Sequence, residues 1–168
     1  IEEAVRASEE KYRRILETAN EGIVIGTLDG KIAFLNQKWA DMLGYDKEEL
    51  VGRLGLDFMD ADQKSLVLDT RQRLRMGQQL NREFKFRRKD GSALWTLCSS
   101  SLFQDGEGQA TGYLAMHADI TDRKMAEQAQ LQSEARFRLL SETAGALLAS
   151  PDPQREISEL CFQVMEHL

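Results

Sequence analysis

Two hydrophobic periods alternate along this chain. Ile1, Val5, Ser8, Tyr12, Ile15 and Ala19 recur at spacings of four and three on an otherwise charged stretch, which predicts an amphipathic helix with a heptad seam over residues 1–20. The same seam returns as Ser133, Phe137, Leu140, Ala144 and Leu147, ahead of Pro151 and Pro153, which end it. The stretch from Ser8 to Ala19 also aligns with that from Ser133 to Ala144, with identities at Ser, Glu, Arg, Glu, Thr and Ala. One connector helix is thus used twice, the signature of domains strung in series.

Between the helices the period drops to two. Apolar runs over 23–28 and 31–36 flank Asp29-Gly30, a strong hairpin signal, and are expected to pair antiparallel. Residues 36–77 lack alternation and read as short helices, the last over about 60–76 with Leu66, Leu68 and Leu74 among its apolar positions. Asp46 followed by Glu48 and Glu49 marks a helix start with an acidic first turn. Three further strands are expected over 79–88, 92–103 and 109–119, joined at Asp90-Gly91 and Asp105-Gly106-Glu107-Gly108. Two strands, helices, then three strands make an α+β domain, a five-stranded antiparallel sheet with helices on one face. Asn36, where a strand gives way to helices, offers a short amide to the freed backbone groups. Asp119 stands where the last strand hands over to the connector helix, so its carboxylate can hold the amides that follow or the Arg123 and Lys124 side chains.

Composition narrows the class. The 168 residues allow one core plus accessory helices, and a net charge of −6, with 22 Lys and Arg interspersed among 28 Asp and Glu, presents no basic face for nucleic acid and no polybasic membrane patch. The longest apolar runs fall far short of the roughly 18–20 residues that span a bilayer. Cys98 and Cys161 have no partner at metal-ligand spacing, which suits a reducing compartment, and a cytoplasmic fragment is expected, any membrane anchor of the parent lying outside it. The chain opens on Ile and closes in a helix-like run, so both ends are expected to be cuts through a longer protein. No phosphate-cradling loop, nucleophile elbow or metal-spaced cluster is present, and neither His117 nor His167 has a phosphoacceptor context. The fragment is therefore expected not to be an enzyme.

In order and spacing, Leu28-Asp29-Gly30-Lys31-Ile32, Asn36, Leu43-Gly44-Tyr45, Glu49-Leu50-Val51-Gly52-Arg53, Arg88-Lys89-Asp90-Gly91-Ser92 with Trp95, and Asp119-Ile120-Thr121 with Arg123-Lys124 resemble a PAS domain of the S-box type. Thr27 departs from it where many members carry Asp, touching one local hydrogen bond. Downstream, Asp152-Pro153 and the run from Ile157 to Leu168 look like the first helix of a GAF domain. The resemblance implies a connector helix over 1–20, a PAS sensor over 21–121, a signalling helix over 122–150 and a truncated GAF-like start over 151–168.

It also implies where a ligand would sit. By likeness to flavin-binding members, Thr96, Cys98 and Ser100 on the fourth strand face inward with Tyr113, Ala115 and His117 on the fifth, joined by Phe84 and Phe86 from the third; an ordinary filled core is the other reading of these residues. Trp95, Leu97, Leu114 and Met116 then face outward and need cover from a connector helix or a second subunit. The flavin-reactive cysteine that follows the Gly-Arg turn in light sensors is replaced by Leu54-Gly55-Leu56, and the helix over 60–76 has no haem-ligating histidine, though His117 on the sheet offers an imidazole. Trp39 and Trp95 read as packing aromatics. No cofactor is expected; a small polar ligand is allowed.

The function expected from all this is sensory input and dimerisation, relayed through Asp119, Thr121 and Arg123 to a downstream histidine kinase or cyclic-dinucleotide enzyme. The parallel homodimer interface is expected at Ile1, Val5, Tyr12 and Ile15. The alternative is a small-molecule or redox receptor with its ligand in the PAS pocket.

Overall fold

The computed structural model describes residues 2–149 together with 154, 155, 157 and 158. Chain contacts divide it into two units, 1–122 and 123–168. The first holds helix α1 (Glu2–Thr18), strands β1 (Gly22–Thr27) and β2 (Ile32–Leu35), helices α2 (Gln37–Leu43), α3 (Lys47–Leu50) and α4 (Ala61–Arg75), and strands β3 (Leu80–Arg87), β4 (Ala93–Gln104) and β5 (Ala110–Asp119). A tight 3-10 turn, Gly55–Phe58, precedes α4, an element that the sequence pattern had not separated from the helices around it. The second unit is described chiefly as the body of α5 (Thr121–Ala149), along which Met125, Leu131, Phe137 and Leu140 are exposed. Glu127 pairs there with Arg123 and Lys124 at 3.6 and 3.3 Å. Of the GAF-like run only Ile157 and Ser158 are among the described residues; Cys161 and His167 lie outside them.

The five strands form one antiparallel sheet in the order β2-β1-β5-β4-β3, so the first strand lies beside the last. Register places Gly22 opposite His117, Val24 opposite Ala115 and Gly26 opposite Tyr113. On the other side of β5, Cys98 faces His117 and Ser100 faces Ala115. Leu94, Thr96, Cys98 and Ser100 therefore share a face, as the period-two pattern predicts. That face packs against Trp39, Ala40, Met42 and Leu43 of α2, Leu50 of α3 and Phe58 to form the core. The opposite face is left partly bare: Leu97 and Met116 are each more than a third exposed, while Trp95 and Leu114 are half-buried.

Asn36 binds three elements at once. Its Oδ1 accepts from the amides of Ile23 at 2.8 Å and Trp39 at 3.1 Å, and its Nδ2 donates to the carbonyls of Leu16 and Glu21, both at 2.9 Å. One buried side chain thus caps α2 and ties it to the end of α1 and the start of β1, which extends the backbone role expected of a short amide there. Beside it, Glu17 accepts from the Gln37 amide at 2.8 Å and pairs with Lys47 at 2.6 Å. Bonding from Lys47 first, and then from the Gln37 amide, holds the Glu17 carboxyl below its ordinary range.

The first hairpin turns at Leu28-Asp29, with Gly30 at φ 91, a conformation that a Cβ would penalise. Thr27 keeps the local hydrogen bond: its hydroxyl accepts from the Lys31 amide at 3.1 Å and also bonds the Asp29 carboxylate. At the start of α3 the Glu49 carboxylate accepts from the Asp46 amide at 3.0 Å, the reciprocal arrangement that an acidic first turn suggests.

Candidate ligand cavity and signal junction

Between the inner face of the sheet and α4 lies a cavity of about 120 Å³. Of the inward set, Phe84, Phe86, Cys98, Ser100, Tyr113, Ala115 and His117 line it. Thr96 does not reach the wall: it is fully buried behind His117, its hydroxyl 3.0 Å from Nδ1. The remaining wall comes from Val67, Thr70, Arg71 and Leu74 of α4, Trp39 of α2, Val24 of β1, Ile32 of β2, Phe58, Met59, and glycines 26, 30 and 55. Sequence reasoning missed this helical half. Leu68, counted there among the apolar positions, is exposed, whereas Val67, Arg71 and Leu74, spaced by four and three, share the face that looks on the sheet. That spacing is the signal that finds them.

His117 is a core residue with both nitrogens engaged. Thr96 holds Nδ1, Cys98 Sγ lies 3.7 Å from Nε2, the Trp39 ring stacks on it at 4.2 Å and Phe86 meets it edge-on at 5.3 Å. Burial pulls its pKa down to about 3, so the ring is neutral. Burial also pushes the Cys98 thiol up to about 11, against a weaker opposing bond from Ser100 at 3.1 Å. A thiol in that state is a small apolar filler and a poor nucleophile.

Arg71 has a different character. Its guanidinium is half-buried, reaches over the face of Tyr113 at 5.7 Å, and fills the space where a Cβ on Gly30 would sit. The Tyr113 hydroxyl is taken by Arg75, whose Nε donates to it at 3.0 Å while its Nη2 donates to the Leu28 carbonyl at 3.3 Å.

At the junction, Asp119 Oδ1 accepts from the Thr121 amide at 2.8 Å and Oδ2 from Arg88 at 3.3 Å. Burial opposes ionisation of this carboxyl, but the bonds from Thr121 and Arg88 prevail and hold it below the ordinary carboxylate range. Arg88 was the partner not foreseen; it lies on the β3–β4 hairpin and also donates to the Met42 carbonyl in α2. Thr121 in turn accepts from the Trp95 amide at 3.0 Å, and the Trp95 carbonyl accepts from the Ile120 amide at 2.9 Å. Of the expected dimer residues, Tyr12 and Ile15 are 65% and 54% exposed; Ile1 lies outside the described residues, and only the helical backbone of Val5 is described.

A family model for the PAS fold matches residues 10–120. Sporulation kinase C of Bacillus subtilis (strain 168) is 29% identical over 130 residues, covering 77% of this chain and 30% of its own length. The probable diguanylate cyclase DgcE of Escherichia coli (strain K12) is 24% identical over 143 residues, covering 84% of this chain and 13% of its own. The chain thus spans less than a third of these curated relatives. Among solved structures, the PAS domain of a protein from Colwellia psychrerythraea superposes with a TM-score of 0.63 at 19% identity, over 67% of this chain and 97% of that one. Among the described residues no helix is long and apolar enough to cross a membrane.

Proposed function

Because this chain belongs to the PAS family through residues 10–120, we propose that it is the sensory input module of a larger signalling protein, passing the state of its core through Asp119, Thr121 and Arg123 into α5 and on to an output domain. The observation that carries this is the double tie of Asp119, to the first amide of α5 and, through Arg88, to the end of α2. α2 also carries Trp39, stacked on His117 of the cavity wall. Its similarity to a kinase and a probable cyclase supports a histidine kinase or a cyclic-dinucleotide enzyme as output, with this segment itself non-catalytic. A GAF-type start after residue 150 and a cytoplasmic location belong to the same proposal. Asp119→Ala tests the relay. Loss of the cap and charge-assisted bond costs about 1–2 kcal/mol, a factor of roughly 5–30 in a balanced two-state equilibrium, without unfolding the domain. In the full-length protein the output is expected to move to one fixed level; an output that still responds as in the wild type overturns the relay.

The same proposal includes a parallel homodimer through Ile1, Val5, Tyr12 and Ile15, supported by the exposure of Tyr12 and Ile15 on a heptad seam and by the bare outer face of the sheet. Light scattering at tens of micromolar is expected to give the mass of a dimer, and a monomer there refutes it.

A second reading, a small-molecule receptor, is favoured by the cavity itself. Pockets for drug-sized ligands run to about 300–1,000 Å³, so a volume near 120 Å³ suits a compact molecule. The redox form of this reading is weaker, since a thiol held near 11 supplies little of the thiolate that oxidation requires.

A further inference from the structure

We propose that the cavity recognises a small carboxylate, with the Arg71 guanidinium as its anion partner. The inference rests on the receptor reading above and narrows it to one chemical class. Neighbouring arginines have found carboxylates or carbonyls: Arg73 and Arg82 meet Asp69 at 3.1 and 2.7 Å, and Arg75 is spent on Tyr113 and Leu28. Arg71, half-buried at the cavity wall, has no ion pair and no hydrogen bond to a described residue, only the face of the Tyr113 ring. A half-buried guanidinium with five donors and no acceptor, facing a cavity, is open to an anion from that side. Burial draws its pKa down, opposed first by Tyr113, and the nearby Arg75 adds like-charge repulsion; Asp29, which also opposes the shift, is already bonded to Thr27 and lies 3.6 Å from Lys31. The planar fork matches a carboxylate in bidentate geometry.

The rest of the wall limits what the anion is attached to. Val67, Leu74, Phe84 and Ala115 form apolar sides, with the Ser100 hydroxyl as a further polar group. The cavity is larger than the roughly 10–15 Å³ that a single water needs and admits a short-chain acid. The chemistry fits propionate and its hydroxy and keto relatives, lactate and pyruvate.

Titration calorimetry and thermal melts of the wild-type chain in matched sodium chloride test the proposal. Propionate, lactate or pyruvate is expected to bind and raise the melting temperature, while propionamide, of the same shape without the charge, does neither. Arg71→Gln is expected to weaken binding at least about tenfold, and Arg71→Lys, which keeps the charge but not the fork, to lie between. Ala115→Phe, which fills the cavity, should abolish binding. If propionamide binds as well as propionate and Ala115→Phe removes both, the anion assignment is wrong and the receptor reading stands. If neither the acids nor propionamide binds at 10 mM, the carboxylate assignment fails.

Discussion

Asn36→Ala is expected to destabilise the chain by about 3–5 kcal/mol, read from urea denaturation. Four backbone groups lose their partner together: the amides of Ile23 and Trp39 and the carbonyls of Leu16 and Glu21. Each buried group left unsatisfied costs about 1–3 kcal/mol, partly relieved where water can reach the side toward α1. Against a typical net stability of about 5–15 kcal/mol, the loss removes a large share. Asn36→Asp separates the two halves of the effect. A carboxylate still accepts from Ile23 and Trp39, but it has nothing to donate and sets a negative charge against two carbonyls. It is expected to be no better than Ala, whereas a loss below about 1 kcal/mol in either variant would show that Asn36 does not join these elements.

His117 predicts a pH dependence of similar size. Its folded pKa lies near 3, below the ordinary 6.5, so between those values the unfolded chain binds a proton that the folded chain rejects. Stability is complete above pH 6.5 and declines as the pH falls toward 3. One pH unit is worth about 1.36 kcal/mol, so lowering the pH from 6.5 to 5 is expected to cost roughly 2 kcal/mol. The carboxylates held below their ordinary range, including Glu17, Asp69 and Asp119, titrate at lower pH and leave this window to the imidazole. In His117→Phe the slope between pH 6.5 and 5 should vanish. A wild-type stability that stays flat there would mean that the ring takes up its proton without leaving the core.

Much of the fold was legible because its signals are local. Asp-Gly pairs set two of the hairpins, and the alternation along β4 and β5, with its inward sense taken from the likeness to flavin-binding PAS members, puts Cys98, Ser100, Tyr113, Ala115 and His117 on one face. Strand limits moved by only a residue or a few because ends depend on turns: Leu28 joins the bend and not β1. What sequence could not show is how a helix rolls onto the sheet. α4 carries charged residues around most of its circumference, so the face with Arg71 is decided by tertiary packing against Tyr113 and Gly30. Arg88 was hidden for the same reason, since 31 residues separate it from Asp119. Thr96 shows the limit of parity: it points inward, as expected, yet serves His117 behind the wall.

The neighbourhood of β1 and β5 has one more consequence. Gly22, the first residue of the sheet, is paired with His117, two residues before the sheet ends. The polypeptide thus arrives and departs within about one strand spacing, about 5 Å, of the same point. A unit with such closely spaced ends can be spliced into a continuous helical rod, or duplicated along it, without asking either flanking segment to relocate. The recurrence of the Ser8–Ala19 pattern at Ser133–Ala144 is what repetition of such a unit along one chain would give.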